Sequence, residues 1–441
     1  MSQNHPIAII GAGPVGLAAA AHLIERGLEP FIFEKGDCPG AAVGEWGHVR
    51  VFTPWRYILD QSASKMLRSS GWSQPDLGYL PKGKEILEQY IKPLGELPDI
   101  ARNLHLNARV TAVTRDGLGK LQTAEREQAP FVVHWEDAEG RARQTLAEAV
   151  IDASGTWGQP SPVGVGGIPV PGEANAADHI YYGIPDVLGK GRARYSGRRV
   201  MVVGGGHSAM NAVLDLLSLR AEVPETTIFW ATKRRGTDQI VGGGSNDQLP
   251  ARGQLGLEAA RAIEKGDLAH VAPFAITDVS STSERLLVDG LFAGKRHSIE
   301  VDELVVCTGF RPETSMLREL RLELDPVMEA PPKLAPLIDP NVHSCGTVPP
   351  HGADELRHPE PGFYIVGMKS YGRAPTFLMV TGYEQVRSIS AELAGDQRLA
   401  REVHLQLPET GVCSAEQSVG GCCSTKETEA GAQERAKSCC G

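Results

Sequence analysis

The chain has 441 residues, 41% hydrophobic and 22% charged, with a formal net charge of −10. That length supports two or three domains with a sizeable core, and the acidic balance excludes a broad basic surface for nucleic acid. Residues 6–24 lack formal charges, yet no Lys or Arg precedes them and Gly11, Gly13, Pro14 and Gly16 break the run. Neither a signal peptide nor a membrane span is therefore expected, and the chain reads as cytoplasmic.

An apolar strand, Ile7-Ala8-Ile9-Ile10, runs into Gly11-Ala12-Gly13-Pro14-Val15-Gly16, and the alanine-rich residues that follow favour helix. Strand, glycine turn and helix in that order place backbone N–H groups and a helix N-terminus against a pyrophosphate. The next strand, Phe31-Ile32-Phe33, ends at Glu34, with Lys35 beside it. An acid about 20 residues past the turn is placed to bind ribose hydroxyls. A glycine-rich loop over 36–50 carries Trp46, and helical periodicity follows at about 60–70 and 83–91. Strands are expected at 104–114 and 131–135, and a further apolar strand at 149–153 enters Ser154-Gly155-Thr156.

Residues 161–171 are rich in Gly and Pro, with more glycine near Gly189, and read as a connection into a second unit. That unit repeats the opening pattern: Val200-Met201-Val202-Val203, then Gly204-Gly205-Gly206-His207-Ser208-Ala209, then a helix-forming stretch. No carboxylate ends its next strand, at 226–230; Lys233, Arg234 and Arg235 follow instead. A cationic cluster in place of the ribose-binding acid suits the 2′-phosphate of NADP. Another strand, at 303–307, enters Thr308-Gly309, matching the earlier strand into Ser154-Gly155. The last strand, at 362–367, ends in Gly367 and leads to a helix expected from about 376 to 393. Beyond 409 large apolar side chains almost vanish, so the tail cannot bury enough surface to fold alone.

Cysteine usage is uneven: Cys38, Cys307 and Cys345 lie in the body, and Cys413, Cys422, Cys423, Cys439 and Cys440 in the tail. The body is too poor in cysteine for a secreted disulfide framework and has no CxxC. Cys38 could be a lone redox thiol, although single cysteines are more often small core residues. The adjacent pairs Cys422-Cys423 and Cys439-Cys440 suit a soft thiophilic ion.

Together these motifs resemble the flavoproteins with two dinucleotide-binding domains, and within them the class B flavin monooxygenase-like branch. The resemblance spans about residues 5–400. It implies an α/β fold of two Rossmann-like domains, the NADPH domain inserted into the FAD domain. Residues 1–160 and 306–408 would form the FAD domain, 161–305 the inserted NAD(P)H domain and 409–441 the Cys-rich tail. Gly11, Gly13, Pro14, Gly16, Glu34 and Lys35 would then hold FAD, with Gly155 and Gly367 completing the site. Gly204, Gly206, His207, Ser208 and Ala209, with Lys233, Arg234 and Arg235, would hold NADPH. Thr308-Gly309 resembles the Ala-Thr-Gly turn that contacts cofactor and links the domains, and Gly44-Glu45-Trp46 resembles a Gly-x-Trp bordering the flavin. The chain departs from that pattern at Asn175, where the linker signature has glycine, and at Met368, where many relatives have Asp.

The activity so implied is an FAD- and NADPH-dependent oxidoreductase: hydride passes from NADPH to flavin, and oxygen is transferred to a soft nucleophilic substrate. No triad or paired-carboxylate motif is apparent; Trp46, Arg56, Tyr371 and Arg373 are the candidates near the flavin ring. The closing Ser-Cys-Cys-Gly resembles the C-terminus of mercuric reductase, and flavoproteins of this type occur among arsenic-resistance proteins. A trivalent arsenical captured by Cys422, Cys423, Cys439 and Cys440 is therefore the expected small-molecule substrate, with oxygen as co-substrate. The alternatives are an NADPH-dependent reductase of a thiol, disulfide or metal(loid), and a non-catalytic metalloid-binding or redox-sensing flavoprotein. A homodimer is compatible with the chain.

Overall fold

The computed structural model describes residues 5–234, 247, 249–281, 285–342, 348–375 and 377–405. Its first strands are β1 (Ile7–Ile10), β2 (Pro30–Phe33), β3 (Leu104–His105), β4 (Arg109–Arg115), β5 (Phe131–Glu136), β6 (Ala142–Ala147), β7 (Ala149–Asp152) and β8 (Ile180–Tyr182). The others are β9 (Arg199–Val203), β10 (Thr227–Ala231), β11 (Ala269–Val271), β12 (Phe274–Ser281), β13 (Leu286–Phe292), β14 (Lys295–Val301), β15 (Glu303–Val306) and β16 (Phe363–Ile365).

Two sheets of five parallel strands have the orders β16-β7-β1-β2-β3 and β11-β10-β9-β15-β8. Each is accompanied by a three-stranded antiparallel sheet, β4-β5-β6 or β12-β13-β14. The two halves share one plan: a central strand, a helical crossover, two further strands on one side, an antiparallel meander, and a return strand on the other side. In the first, Ile10 lies opposite both Phe33 and Asp152; in the second, Val203 lies opposite both Ala231 and Val306. This duplicated Rossmann-like α/β plan agrees with the fold class read from the paired turns.

Burial explains the local sequence. β1 is buried along its whole length, as a central parallel strand covered on both faces requires. The helix Pro14–Glu25 has proline at its start, and Ala18, Ala19, Ala20 and Ala21 are all at 0% exposure. Small side chains let it lie against both the sheet and the helix Met379–Leu393. In the second half, the helix His207–Glu222 packs on Pro250–Lys265, and its inward residues Val213, Leu216 and Leu219 join Val200 and Val202 in one core.

Four expectations are revised. The strand foreseen over 104–114 is two strands in different sheets, because Asn107 takes a φ of 52° and the Asn107 and Ala108 N–H groups bond Gly36 and Glu34 carbonyls. The helix over 83–91 passes through a π turn, Leu87–Ile91, into Lys92–Gly95. Pro93 has no N–H for the Gln89 carbonyl, which takes a bond from Trp72 Nε1 at 2.7 Å instead. The segment 161–197 supplies β8, an edge strand of the second sheet, besides connecting the halves. The last long helix begins at Met379, with Leu378 extended before it, while Phe377 sets its ring edge-on to Tyr371 at 5.0 Å.

Candidate functional site

Both glycine turns stand at the C-terminal edge of a parallel sheet, where crossover sheets place ligands. Gly11 and Gly204 have φ of +100° and +129°; a Cβ on them would come within 2.8 Å of the Ala153 carbonyl oxygen and 2.3 Å of the Cys307 carbonyl oxygen. Each turn is thus pressed against the return strand of its own half. A Cβ on Gly16 would lie 1.9 Å from the Gly11 carbonyl oxygen, so helix and strand could not keep their spacing. Positions 13, 205 and 206 have nothing within 4 Å of such an atom and face open space.

Around the first turn the buried Glu34 carboxylate accepts from the Ala12 and Gly36 N–H groups, each at 2.8 Å. Lys35 is exposed and reaches toward Gly158. Gly155 lies in the return turn with a φ of +69° and open space beside it. Gly367 is buried and donates its N–H to Gln385 Oε1 at 2.7 Å. Val15 touches the space beside Gly367 and Gly382, so the N-terminal turns of helices Pro14–Glu25 and Met379–Leu393 converge. Two helix N-termini at one place form a strongly anion-favouring corner.

Two arrangements here escaped the sequence reading. Lys369 is wholly buried and donates to Asp152 Oδ2 at 2.6 Å and Ser154 Oγ at 3.1 Å, while the Ser154 hydroxyl donates to Asp152 Oδ1 at 2.6 Å. This network ties the return turn after β7 to the turn after β16. A lysine just past Gly367, between apolar and small neighbours, was the available signal. Gln385 Nε2 also reaches Ser370 Oγ at 2.9 Å and His351 Nε2 at 3.0 Å. His351 Nδ1 faces the Pro349 carbonyl at 3.0 Å, so the neutral tautomer protonated at Nδ1 satisfies every partner. Burial pushes the His351 pKa down, in agreement.

The four candidate catalytic residues sit in different surroundings. Trp46 packs on the first core and against Gly83. Beside it Glu45 accepts from Trp157 Nε1 at 2.6 Å. Tyr371 is buried, and burial drives its phenol well above the usual range. Arg373 lies at the surface, paired with Glu329 at 2.7 Å. Arg56 is exposed and lines a depression at the other end of helix Pro14–Glu25, with His22, Glu25 and Arg26. Arg373 is thus charge-paired, and Arg56 sits about 13 Å of helix away from the first glycine turn.

At the second turn, Gly206 precedes the helix that carries His207, Ser208 and buried Ala209. Burial, reinforced by Arg252, pushes the His207 pKa down to about 4, so its ring is neutral near pH 7. That ring lies 5.2 Å from Phe52 of the first half. Lys233 and Arg234 follow β10 on the surface, and Thr232 Oγ1 donates to the Arg234 carbonyl at 3.1 Å. Arg235, Thr376 and the tail cysteines Cys422, Cys423, Cys439 and Cys440 lie outside the described residues.

The passages between the halves run side by side. Ser161 N–H donates to the Gly309 carbonyl at 2.8 Å, Thr308 Oγ1 donates to the Ser161 carbonyl at 2.7 Å, and Trp157 stacks on Phe310 at 4.8 Å. A cleft of about 970 Å³ opens between the halves, lined by Glu45, His48, Tyr181, Asp186 and Arg194 among others. Asp215 faces this boundary with its pKa raised to about 6 by burial. Cys38 and Cys307 are both free thiols, and burial raises both, Cys307 to about 12. This tells against Cys38 as an activated redox thiol. Among the described residues no helix is long and apolar enough to cross a membrane.

The profile of the family described as Pyridine nucleotide-disulphide oxidoreductase matches residues 8–344. A ferredoxin–NADP reductase from Thermus thermophilus is 25% identical over 355 residues, covering 79% of this chain and 86% of that protein. Among solved structures, the bacillithiol disulfide reductase of Bacillus cereus has a TM-score of 0.65 at 18% identity, covering 90% of this chain and 100% of the other. The ornithine N-hydroxylase of Kutzneria gives 0.60 at 16% identity, with 90% and 100% covered.

Proposed function

Because this chain belongs to the pyridine nucleotide-disulphide oxidoreductase family, an FAD- and NADP(H)-dependent group of oxidoreductases, we propose that it is a monooxygenase acting on a soft nucleophilic centre. Its proposed substrate class is the trivalent arsenicals, delivered by the tail cysteines. The observation that carries the choice of oxygen as acceptor is the state of the two body thiols among the described residues. Cys38 and Cys307 are unpaired and held protonated, so neither is set up to relay electrons to a disulfide.

The residues present fit both cofactors. The cradle of Gly11, Gly13, Pro14 and Gly16 is assigned to the FAD pyrophosphate, Glu34 and Lys35 to its adenosine end, and Gly155, Gly367 and Trp46 to its flavin end. Gly204, Gly206, His207, Ser208 and Ala209 are assigned to NADPH, with Lys233, Arg234 and Arg235 for its 2′-phosphate. Thr308-Gly309 is assigned to the junction. When bound, FAD supplies the means of passing an electron pair from NADPH to oxygen. The chain's own part is to hold, orient and shield. The paired helix N-termini beside Val15 favour negative charge at the first site. A neutral His207 adds no cation there, leaving nucleotide charge to the helix N-terminus and the basic residues after β10. In balance, one NADPH, one proton and one O2 yield NADP+, water and the oxygenated substrate.

The test is NADPH oxidation by FAD-loaded protein with trivalent arsenicals, sulfides and amines, recording oxygen uptake and product together. Equimolar NADPH and oxygen consumption with an arsenical is expected. Turnover that needs a disulfide or mercuric ion, and no oxygen, would establish the reductase alternative instead. For the tail, truncation after Leu407 should raise the arsenical concentration needed for half-maximal rate; unchanged binding and turnover would defeat the capture role.

A further inference from the structure

The depression around Arg56 is not explained by the dinucleotide sites. It has a volume of about 770 Å³ and is built by helix Pro14–Glu25, helix Gln61–Ser69 and residues from the C-terminal part of the described chain. Its lining carries five arginine or lysine side chains against two carboxylates, Glu25 and Asp60. Both carboxylates are already engaged. Glu25 binds Lys65 at 2.6 Å and the Ser62 hydroxyl at 2.8 Å, and Asp60 binds His22 at 3.0 Å while capping its helix through the Ala63 N–H. The remaining positive charge belongs to Arg26, Arg56, Arg68 and Arg387.

Those guanidinium groups differ in their commitments. Arg387 is spent on Glu384 and two backbone carbonyls. Among the described residues Arg68 hydrogen-bonds only Gln74, and Arg26 only His22. Arg56 has no acidic partner among the described residues, its recorded neighbour being the Tyr57 ring at 5.8 Å. Burial pulls the Arg26 pKa below its ordinary value even though the Glu25 carboxylate opposes the shift, a desolvation cost that a bound anion would offset.

A separate observation points the same way. Ser64 also lines the depression, is 4% exposed, and has a buried hydroxyl with no hydrogen-bond partner among the described residues. Its position one turn before Arg68 puts both on one helix face. A buried hydroxyl without a partner costs free energy, and a ligand oxygen would satisfy it.

We propose that this depression is a second ligand site, taking a phosphate-class tetrahedral oxyanion, free or as a phosphomonoester. Several convergent N–H donors, excess cationic charge and a hydroxyl match a compact polyanion better than an apolar molecule. The site lies at the opposite end of helix Pro14–Glu25 from the first glycine turn, so it does not depend on the assignment of FAD to that turn.

Calorimetric titration of the full-length, flavin-loaded protein tests this, with inorganic phosphate and glycerol phosphate in separate arms at fixed ionic strength. Saturable binding in either arm is expected. Arg56→Gln should weaken it about tenfold, as loss of a charge-assisted bond would, and Ser64→Ala should weaken it by a smaller factor. Arg109→Gln, at an exposed arginine paired with Glu136 on β4, should leave it unchanged. Which arm binds more tightly distinguishes a free anion from a phosphorylated metabolite. The proposal is overturned if neither arm saturates, if equal chloride reproduces the heats, or if Arg56→Gln binds like wild type.

Discussion

Replacing Lys369 by methionine tests whether the link between the two strand-end turns organises the first site. Lys369 and Asp152 are both at 0% side-chain exposure, 2.6 Å apart. Removing the ammonium leaves the carboxylate buried with the Ser154 hydroxyl and N–H as its remaining recorded partners. Breaking a buried pair from one side costs roughly 3–5 kcal/mol, whereas replacing both partners by apolar groups is often nearly neutral. Lys369→Met should therefore lower unfolding free energy by about 3 kcal/mol or more, and Lys369→Met with Asp152→Leu should recover much of that loss. The assay is urea unfolding of the apoprotein, with FAD content of the purified holoprotein as a second readout. FAD should be lost from the single variant and partly regained in the double. A single variant within about 1 kcal/mol of wild type, or a double variant as unstable as the summed singles, would refute the reasoning.

Gly16→Val should abolish FAD retention while leaving the second half able to bind NADP+, because the new Cβ would lie 1.9 Å from the Gly11 carbonyl oxygen; absorbance and nucleotide titration read the two separately. Arg234→Ala with Arg235→Ala should raise the KM for NADPH roughly tenfold or more and leave NADH almost unaffected, and equal losses would remove the 2′-phosphate assignment. His358 is buried with its pKa pushed down to about 4. Its contribution to stability is complete above the unfolded value near 6.5 and is lost as pH falls toward 4, up to about 3 kcal/mol. His358→Gln should flatten the fall in unfolding free energy between pH 6.5 and 4, and a parallel pH profile would contradict this.

The paired cradles were legible because their requirements are local. A glycine with positive φ, a proline opening a helix and four buried alanines are imposed by turn sterics and close packing, and such constraints leave their mark on neighbouring residues. The same locality explains what the sequence left open. Arg56 and Arg373 lie in segments flanking cofactor-like motifs, and nothing adjacent to them reveals which way they face. Trp46 and Tyr371 are aromatic and near glycine in sequence, yet the neighbours they pack on, Gly83 and Phe377, are fixed by packing.

Residue order by itself determined two Rossmann-like units, the strands that bear their glycine turns, and the change from an acid after β2 to a basic cluster after β10. Only the tertiary structure decided that Lys369 meets Asp152 across 217 residues, that Ser161 runs beside Gly309, and that the far end of the first helix gathers arginines around a serine hydroxyl without a partner among the described residues. Backbone geometry is dictated over a few neighbours, but the partner of a buried charge is set by which strands lie side by side. That choice belongs to the packed sheet as a whole.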